Sequence, residues 1–249
     1  MKNYTPATDL LKNRVILVTG ASSGLGRLMS LAYAQHGATV ALLARDEAKL
    51  EKVYDEIIAA GGPEPAMFPF DLASADDHGM ETIAGVIGHH LHQLDGILHS
   101  AHTFNNLCPL HLQTMAQWRT LLQVNLVAPF GLTRACLPYL KASPDASIIF
   151  TGDTHGHQPA AYWGGYAVAK AGLEALVKIW AEELEQHLHI RMNTLIPGPI
   201  ATTLQTRTHP GQLAASLAPP SSLIPFYLYL MGPDSHLVRG KILECPFGL

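Results

Sequence analysis

The sequence predicts an α/β fold, a single-domain Rossmann-like doubly wound parallel sheet with helices on both faces. Three observations point there. Short apolar runs alternate with longer amphipathic stretches from one end to the other, the first run breaks into a glycine-rich turn, and no linker, repeat or low-complexity block interrupts the alternation. Strands buried on both faces read as unbroken apolar runs, which is the form these take. The 249 residues, 48% hydrophobic with 21 Gly and 17 Pro, suffice for one large core. Residues 1–249 are therefore read as one domain, with 1–13 as an N-terminal extension.

Residues 14–19 form the first strand, which ends at a glycine turn. Residues 24–36 have helical periodicity and stop at Gly37. Residues 39–43 are the second strand, 46–60 a charged amphipathic helix closed by Gly61 and Gly62, and 66–70 the third strand. Helix is expected over 74–92, the fourth strand over 96–99, and a long helix in one or two pieces over 114–140. Strand 147–151, helix 162–187 and strand 190–196 follow. The tail holds a loop rich in Thr, Pro and Gly (198–220), a short helix near 222–231 and a last strand at 241–244. Right-handed crossovers join such strands, and ligands sit at their carboxyl ends where the strand order reverses.

Composition excludes several partners. A net charge of −4 with no basic stripe argues against nucleic acid. Cys108, Cys136 and Cys245 lack metal-ligand spacing and read as reduced thiols. The first residues are too polar for a signal peptide, and no apolar run reaches the roughly 20 residues of a membrane helix. The expectation is a soluble cytoplasmic protein acting on a small molecule, away from membranes.

Chemistry concentrates in two motifs. Residues 19–26 read TGASSGLG after a strand and before a helix, the context in which glycines hold a dinucleotide's pyrophosphate. Gly20 permits the tight turn, Gly24 lets backbone approach the phosphates, and Gly26 allows close helix–strand packing. With Ser22, Ser23 and Leu25 they would face the phosphates from the helix N-terminus. At the end of the second strand, where an NAD site wants a carboxylate, Ala44 is followed by Arg45. A guanidinium suits a 2′-phosphate, which favours NADP over NAD. The alternative is a solvated arginine at a helix start. Asp71 and Leu72, after the third strand, are placed to bracket the adenine. The second motif, Tyr166-Ala-Val-Ala-Lys170, sets a phenol and an ammonium one helical turn apart. Free tyrosine ionises near pH 10, too high for a base at neutrality, and a lysine at i+4 favours the phenolate.

TGASSGLG, Asp71-Leu72, Asn125, YAVAK and the run Pro197-Gly198-Pro199-Ile200-Ala201-Thr202 stand in an order and spacing that resembles the short-chain dehydrogenase/reductase superfamily over essentially the whole chain. KNRVILVTGAS, the stretch at 163–166 and PFYLYLMGPDS are similar to a bacterial subgroup of YciK-type oxidoreductases. The resemblance implies a nicotinamide cofactor, carbonyl reduction or alcohol oxidation, and homodimers or homotetramers packed through the two long helices. It implies Tyr166 as general acid/base and Lys170 as its activator and ribose ligand, with Asn125 ordering a relay water. It also places Ser100, Ala101, Pro197, Gly198, Ile200 and Thr202 beside the cofactor, the last two at its carboxamide. Residues 202–222, with Leu204, Leu213, Leu217, Arg207 and His209, would shape the substrate pocket.

Two departures stand out. The family's serine, thirteen residues before the tyrosine, is Asp153 here. An ionised aspartate donates no hydrogen bond and repels a developing alkoxide. Three readings stay open: Asp153 protonated and donating, Thr154 supplying the hydroxyl, or the ordinary reaction lost. The family's Asn-Asn-Ala-Gly after the fourth strand is His99-Ser100-Ala101-His102, and His102 would crowd the cofactor or stack on it. His99, His102, Asp153, His155 and His157 thus gather at two strand ends, but their spacing matches no metal motif and no metal is assigned. Either His155 or His157 tunes the polarity of the substrate site, or these histidines carry no role, like His89, His90 and His92 on an ordinary helix. The function expected is an NADP(H)-dependent oxidoreductase; the alternative is a dinucleotide-binding protein that keeps the fold for a regulatory or structural role.

Overall fold

In the computed structural model, which describes residues 4–247, seven strands form one parallel sheet. The strands are β1 (Val15–Thr19), β2 (Thr39–Ala44), β3 (Ala66–Pro69), β4 (Gly96–His99), β5 (Ala146–Thr151), β6 (Ile190–Ile196) and β7 (Ile242–Glu244), in the spatial order β3-β2-β1-β4-β5-β6-β7. The helices are α1 (Gly24–Gln35), α2 (Glu47–Ala59), α3 (Asp77–Leu91), α4 (Met115–Leu122), α5 (Ala128–Ala142), α6 (Thr154–His157), α7 (Gly164–Glu183), α8 (Thr203–Thr208) and α9 (Ile224–Met231).

Alternation along each strand divides the core in two. Val15 and Leu17 of β1 join Ile97, Ile148 and Phe150 under α3, α5 and α7. Ile16 and Val18 join Leu42, Leu98 and Ile149 under α1, α2 and α9. Nearly every side chain of α9 is apolar, and Phe226, Tyr227, Leu228, Leu230 and Met231 are all buried. Each branched aliphatic residue so buried contributes roughly 1.5–3 kcal/mol relative to exposure.

The sheet reverses at β1, which pairs with β2 on one side and β4 on the other. Loops leaving the carboxyl ends of β1 and β4 therefore run in opposite directions and open a cleft between them. Elements agree with the periodicity in kind except that 198–220, expected as a loop, contains the short helix α8, which Thr202 caps; the others differ at their ends, for local reasons. The helix expected from 74 begins at Asp77, because the carboxylate of Asp76 caps it by accepting the Gly79 N–H at 2.8 Å. The long helix expected over 114–140 divides into α4 and α5 around a π-helical turn at Gln123–Val127. The one-turn helix α6 has no periodic signal in four residues.

Candidate active site

The site is built first from backbone. Gly20 has φ 68°, and a Cβ there would lie 2.8 Å from the Cα of Ala101, so only glycine permits both the turn and the approach of the β4 loop. Gly24, with φ 52°, faces open space and leaves the first turn of α1 presenting bare N–H groups. Gly26 lies beneath, where any side chain would strike the carbonyl of Gly20. Thr19, which the sequence reading does not single out, ties the two loops together: its Oγ1 accepts the N–H groups of Ser100 and Ala101, both at 3.1 Å.

These loops border a cleft of about 910 Å³. Gly20, Ser22, Ser23, Gly24, Leu25, Arg45, Asp71, Leu72, Ser100, Ala101, Pro197, Gly198, Ile200 and Thr202 all line it, as do Asp153, Tyr166 and Lys170. Of the residues expected at the site, Gly26 and Asn125 stand behind its wall. Bare amides at a helix N-terminus, a glycine open to the cleft and an arginine on its rim fit a phosphorylated dinucleotide. The Arg45 side chain is largely exposed, 4.0 Å from Asp71. Asp46, next to Arg45 in the chain, is committed to α2, where it caps the Lys49 N–H and pairs with the Lys49 ammonium at 2.7 Å.

Tyr166 and Lys170 project from one face of α7, with the Lys170 Nζ 5.7 Å from the phenol ring centre. The ammonium donates to the carbonyl of Thr151 at 2.7 Å. Burial lowers Lys170 from its ordinary 10.5 to about 8, against the opposing pull of Asp153. The Tyr166 hydroxyl donates to Asp153 Oδ2 at 3.1 Å. Burial first, then the charge and hydrogen bond of Asp153, hold Tyr166 well above its ordinary value.

Asp153 caps α6. Its Oδ1 accepts both the backbone N–H of His155, at 2.8 Å, and the Nδ1–H of the same ring, at 3.0 Å. Burial pushes its carboxyl up, but the two His155 hydrogen bonds and the Lys170 charge outweigh that and leave it below the ordinary 3.8. Of the three readings open to this position, a protonated, donating Asp153 is the one the surroundings oppose. Thr154 opens α6 beside it and also lines the cleft.

Asn125 sits in the π-turn and fastens the β4 loop. Its amide donates to the carbonyls of Thr103, at 2.9 Å, and Leu121, at 2.8 Å, and accepts the Thr103 N–H at 3.1 Å. Both amide protons are used, and one lone pair of Oδ1 remains. Thr202 caps α8 by accepting the Gln205 N–H at 3.3 Å.

The histidines disperse. His99 turns into the core, stacked on Phe150 at 4.7 Å with its Nε2 2.7 Å from Thr133 Oγ1. His102 is exposed and lines the cleft. His155 stacks on Trp163, ring centres 3.5 Å apart, and His157 pairs with Glu174 at 3.1 Å. Among the described residues, no three His, Cys, Asp or Glu side chains converge as metal ligands. No helix among them is long and apolar enough to cross a membrane.

A second hollow of about 490 Å³ adjoins the cleft, and Tyr166 and Trp163 line both. Phe104 forms its aromatic floor, edge-on to Tyr166 at 5.2 Å, with the Arg207 guanidinium 5.7 Å from its centre. Gln113, Gln117 and Asn105 add amides. Phe104 and Trp163 are site residues that the sequence reading does not single out. Their signal was position: one follows β4, the other precedes the tyrosine by less than a helical turn.

A family model described as short chain dehydrogenase matches residues 14–212. The chain is 38% identical over 246 residues to the uncharacterized oxidoreductase YciK of Escherichia coli strain K12, covering 99% of this chain and 97% of that protein. It is 27% identical over 247 residues to the 3-oxoacyl-[acyl-carrier-protein] reductase FabG of Thermotoga maritima, covering 96% and 98%. A protein of Escherichia coli CFT073 crystallised with NADPH and described as a short chain dehydrogenase superposes with a TM-score of 0.92 at 38% identity, covering 96% of this chain and 99% of that one. With the family model matching most of the chain and a relative of 38% identity spanning it, the protein belongs to the short-chain dehydrogenase family of oxidoreductases.

Proposed function

We propose that the protein is an NADP(H)-dependent oxidoreductase in which Tyr166 moves the proton and Lys170 sets the charge around it. The observation that carries this reading is the sharing of one cleft by the glycine turn, Arg45 and the Tyr166–Lys170 pair. The amides of 20–25 would hold the pyrophosphate, and Arg45 a 2′-phosphate. Asp71 and Leu72 would flank the adenine, with Ile200 and Thr202 near the carboxamide. Bound NADPH supplies a hydride. Tyr166, already protonated, gives its proton to the reduced group, and Lys170 steadies the phenolate left behind. Val127, Phe130, Val168 and Ile179 are exposed along α5, α7 and the turn before α5, which supports a homo-oligomer joined through these helices.

Asp153 favours a second reading, a cofactor-binding protein without turnover. A carboxylate about 4 Å from a forming alkoxide, at an effective dielectric of about 20, opposes it by about 4 kcal/mol, roughly a thousandfold in rate. Titration of NADPH fluorescence and a carbonyl and imine screen separate the two. Binding with turnover that Tyr166→Phe lowers at least ~100-fold supports the enzyme. Binding with no turnover in any assay supports the second reading, and absence of binding refutes both.

A further inference from the structure

The charge arrangement around Tyr166 is wrong for a carbonyl and right for something else. Asp153 Oδ1 is satisfied by two N–H donors of His155, whereas among the described residues Oδ2 accepts only from the Tyr166 hydroxyl. Asp153 lines the cleft, and that oxygen keeps a lone pair for a substrate donor. The donors near the carboxylate are already placed: the Lys170 ammonium is held by the Thr151 carbonyl, and the His155 ring is held against Trp163. Arg207, the cation of the hollow, lies over Phe104 and donates to Asn106 at 3.2 Å. Compared with a neutral hydroxyl at the same place, the centre carries one more negative charge where the substrate's reacting atom must sit.

We infer that the bond reduced here is C=N, presented as a protonated iminium whose N–H donates to Asp153 Oδ2 while its flat ring lies against Phe104 and Trp163. This rests on the reading of the cleft as an NADPH-dependent reductase site. A ketone would gain negative charge beside a carboxylate, whereas an iminium brings a positive charge to it and arrives already protonated. Hydride from the reduced nicotinamide forms the new C–H bond, the C=N π pair moves to nitrogen, and a neutral amine results. The one proton consumed enters with the iminium N–H. Tyr166 supplies it when the imine binds neutral, an easier transfer than to a ketone because imine nitrogen is far more basic than carbonyl oxygen.

The test uses the NADPH complex and two molecules of one shape, tetrahydroisoquinoline, which is cationic at neutral pH, and isochroman, its neutral oxygen analogue. Calorimetry should show the amine binding at least about tenfold more tightly, and Asp153→Asn should remove the difference. Asparagine retains the cap on α6, so the variant isolates charge. Turnover should favour dihydroisoquinoline over tetralone, and Asp153→Ser should invert that order. Equal binding of the two probes, binding of neither, or a preference untouched by Asp153→Asn overturns the inference. Failure to bind NADPH, or binding with no turnover of any carbonyl or imine, sinks the underlying reading instead. Tyr166-dependent ketone reduction without amine preference sinks the inference alone.

Discussion

Arg45 and His99 show how differently two polar residues at strand ends behave. Arg45 is solvated, with Asp71 at 4.0 Å its nearest acidic partner, so its charge is available to a ligand. Arg45→Asp should therefore weaken NADPH binding by about tenfold or more and leave NADH binding unchanged or improved. Equal losses for both in a fluorescence titration would remove Arg45 from the phosphate site. His99 faces the other way. Burial, then the Lys170 charge, lowers it from 6.5 to about 3, so the folded protein holds it neutral. The unfolded chain binds a proton there that the folded chain does not, from pH ~6.5 down to ~3. Stability then rises with pH through that window by about 1.4 kcal/mol per unit from this group alone. His99→Gln should flatten the slope of unfolding free energy against pH by about one proton between pH 5 and 4, and an unchanged slope would place the titration elsewhere.

Elements were legible where a period repeats and opaque where one side chain decides. The strands and long helices follow from unbroken apolar runs and helical spacing, and the glycine turn from its flanking elements. Invisible in advance were the π-turn that sets Asn125 and the single turn of α6, because neither spans enough residues to show a period. The family pattern marked Asp153 as a departure, but no sequence spacing shows a carboxylate shared between His155 and Tyr166. That sharing depends on how closely α6 sits on α7. A Cβ on Gly156 would lie 2.7 Å from the Cβ of Lys170 and 2.8 Å from its carbonyl carbon. Gly156→Ala must lift α6 and carry Asp153 and His155 with it. The expected cost is about 1–3 kcal/mol of stability, with a fall in kcat exceeding any change in NADPH affinity. Cofactor affinity falling in step with turnover would mean that α6 belongs to the dinucleotide site instead.

At the scale of the whole molecule, the two ends of the sheet divide the work. The carboxyl ends carry the cleft, while the amino ends carry a charge cluster that the sequence reading passes over, since its members are about 46 and 131 residues apart. Asp145, just before β5, accepts from Arg14 at 2.6 Å and from both terminal nitrogens of Arg191, a β6 residue only 1% exposed. Arg14 also reaches the carbonyls of Asp145 and Asp95, and Arg191 that of Gly232. One carboxylate thus pairs with two guanidiniums that brace β1, β5 and β6 together. Burial would raise Asp145, but the arginines outweigh it and hold its carboxyl below the ordinary 3.8. Its contribution is accordingly full above that value and is lost as pH falls through the lowered one. Asp145→Asn strands both cations and should cost about 3–5 kcal/mol, a Tm lower by roughly 10 °C at this chain length. Because the cluster lies at the sheet edge opposite the cleft, NADPH affinity and turnover per folded molecule should not change. A variant that melts normally would show the cluster to be solvated in solution, and one that loses cofactor binding while still folded would show the two ends of the sheet to be coupled.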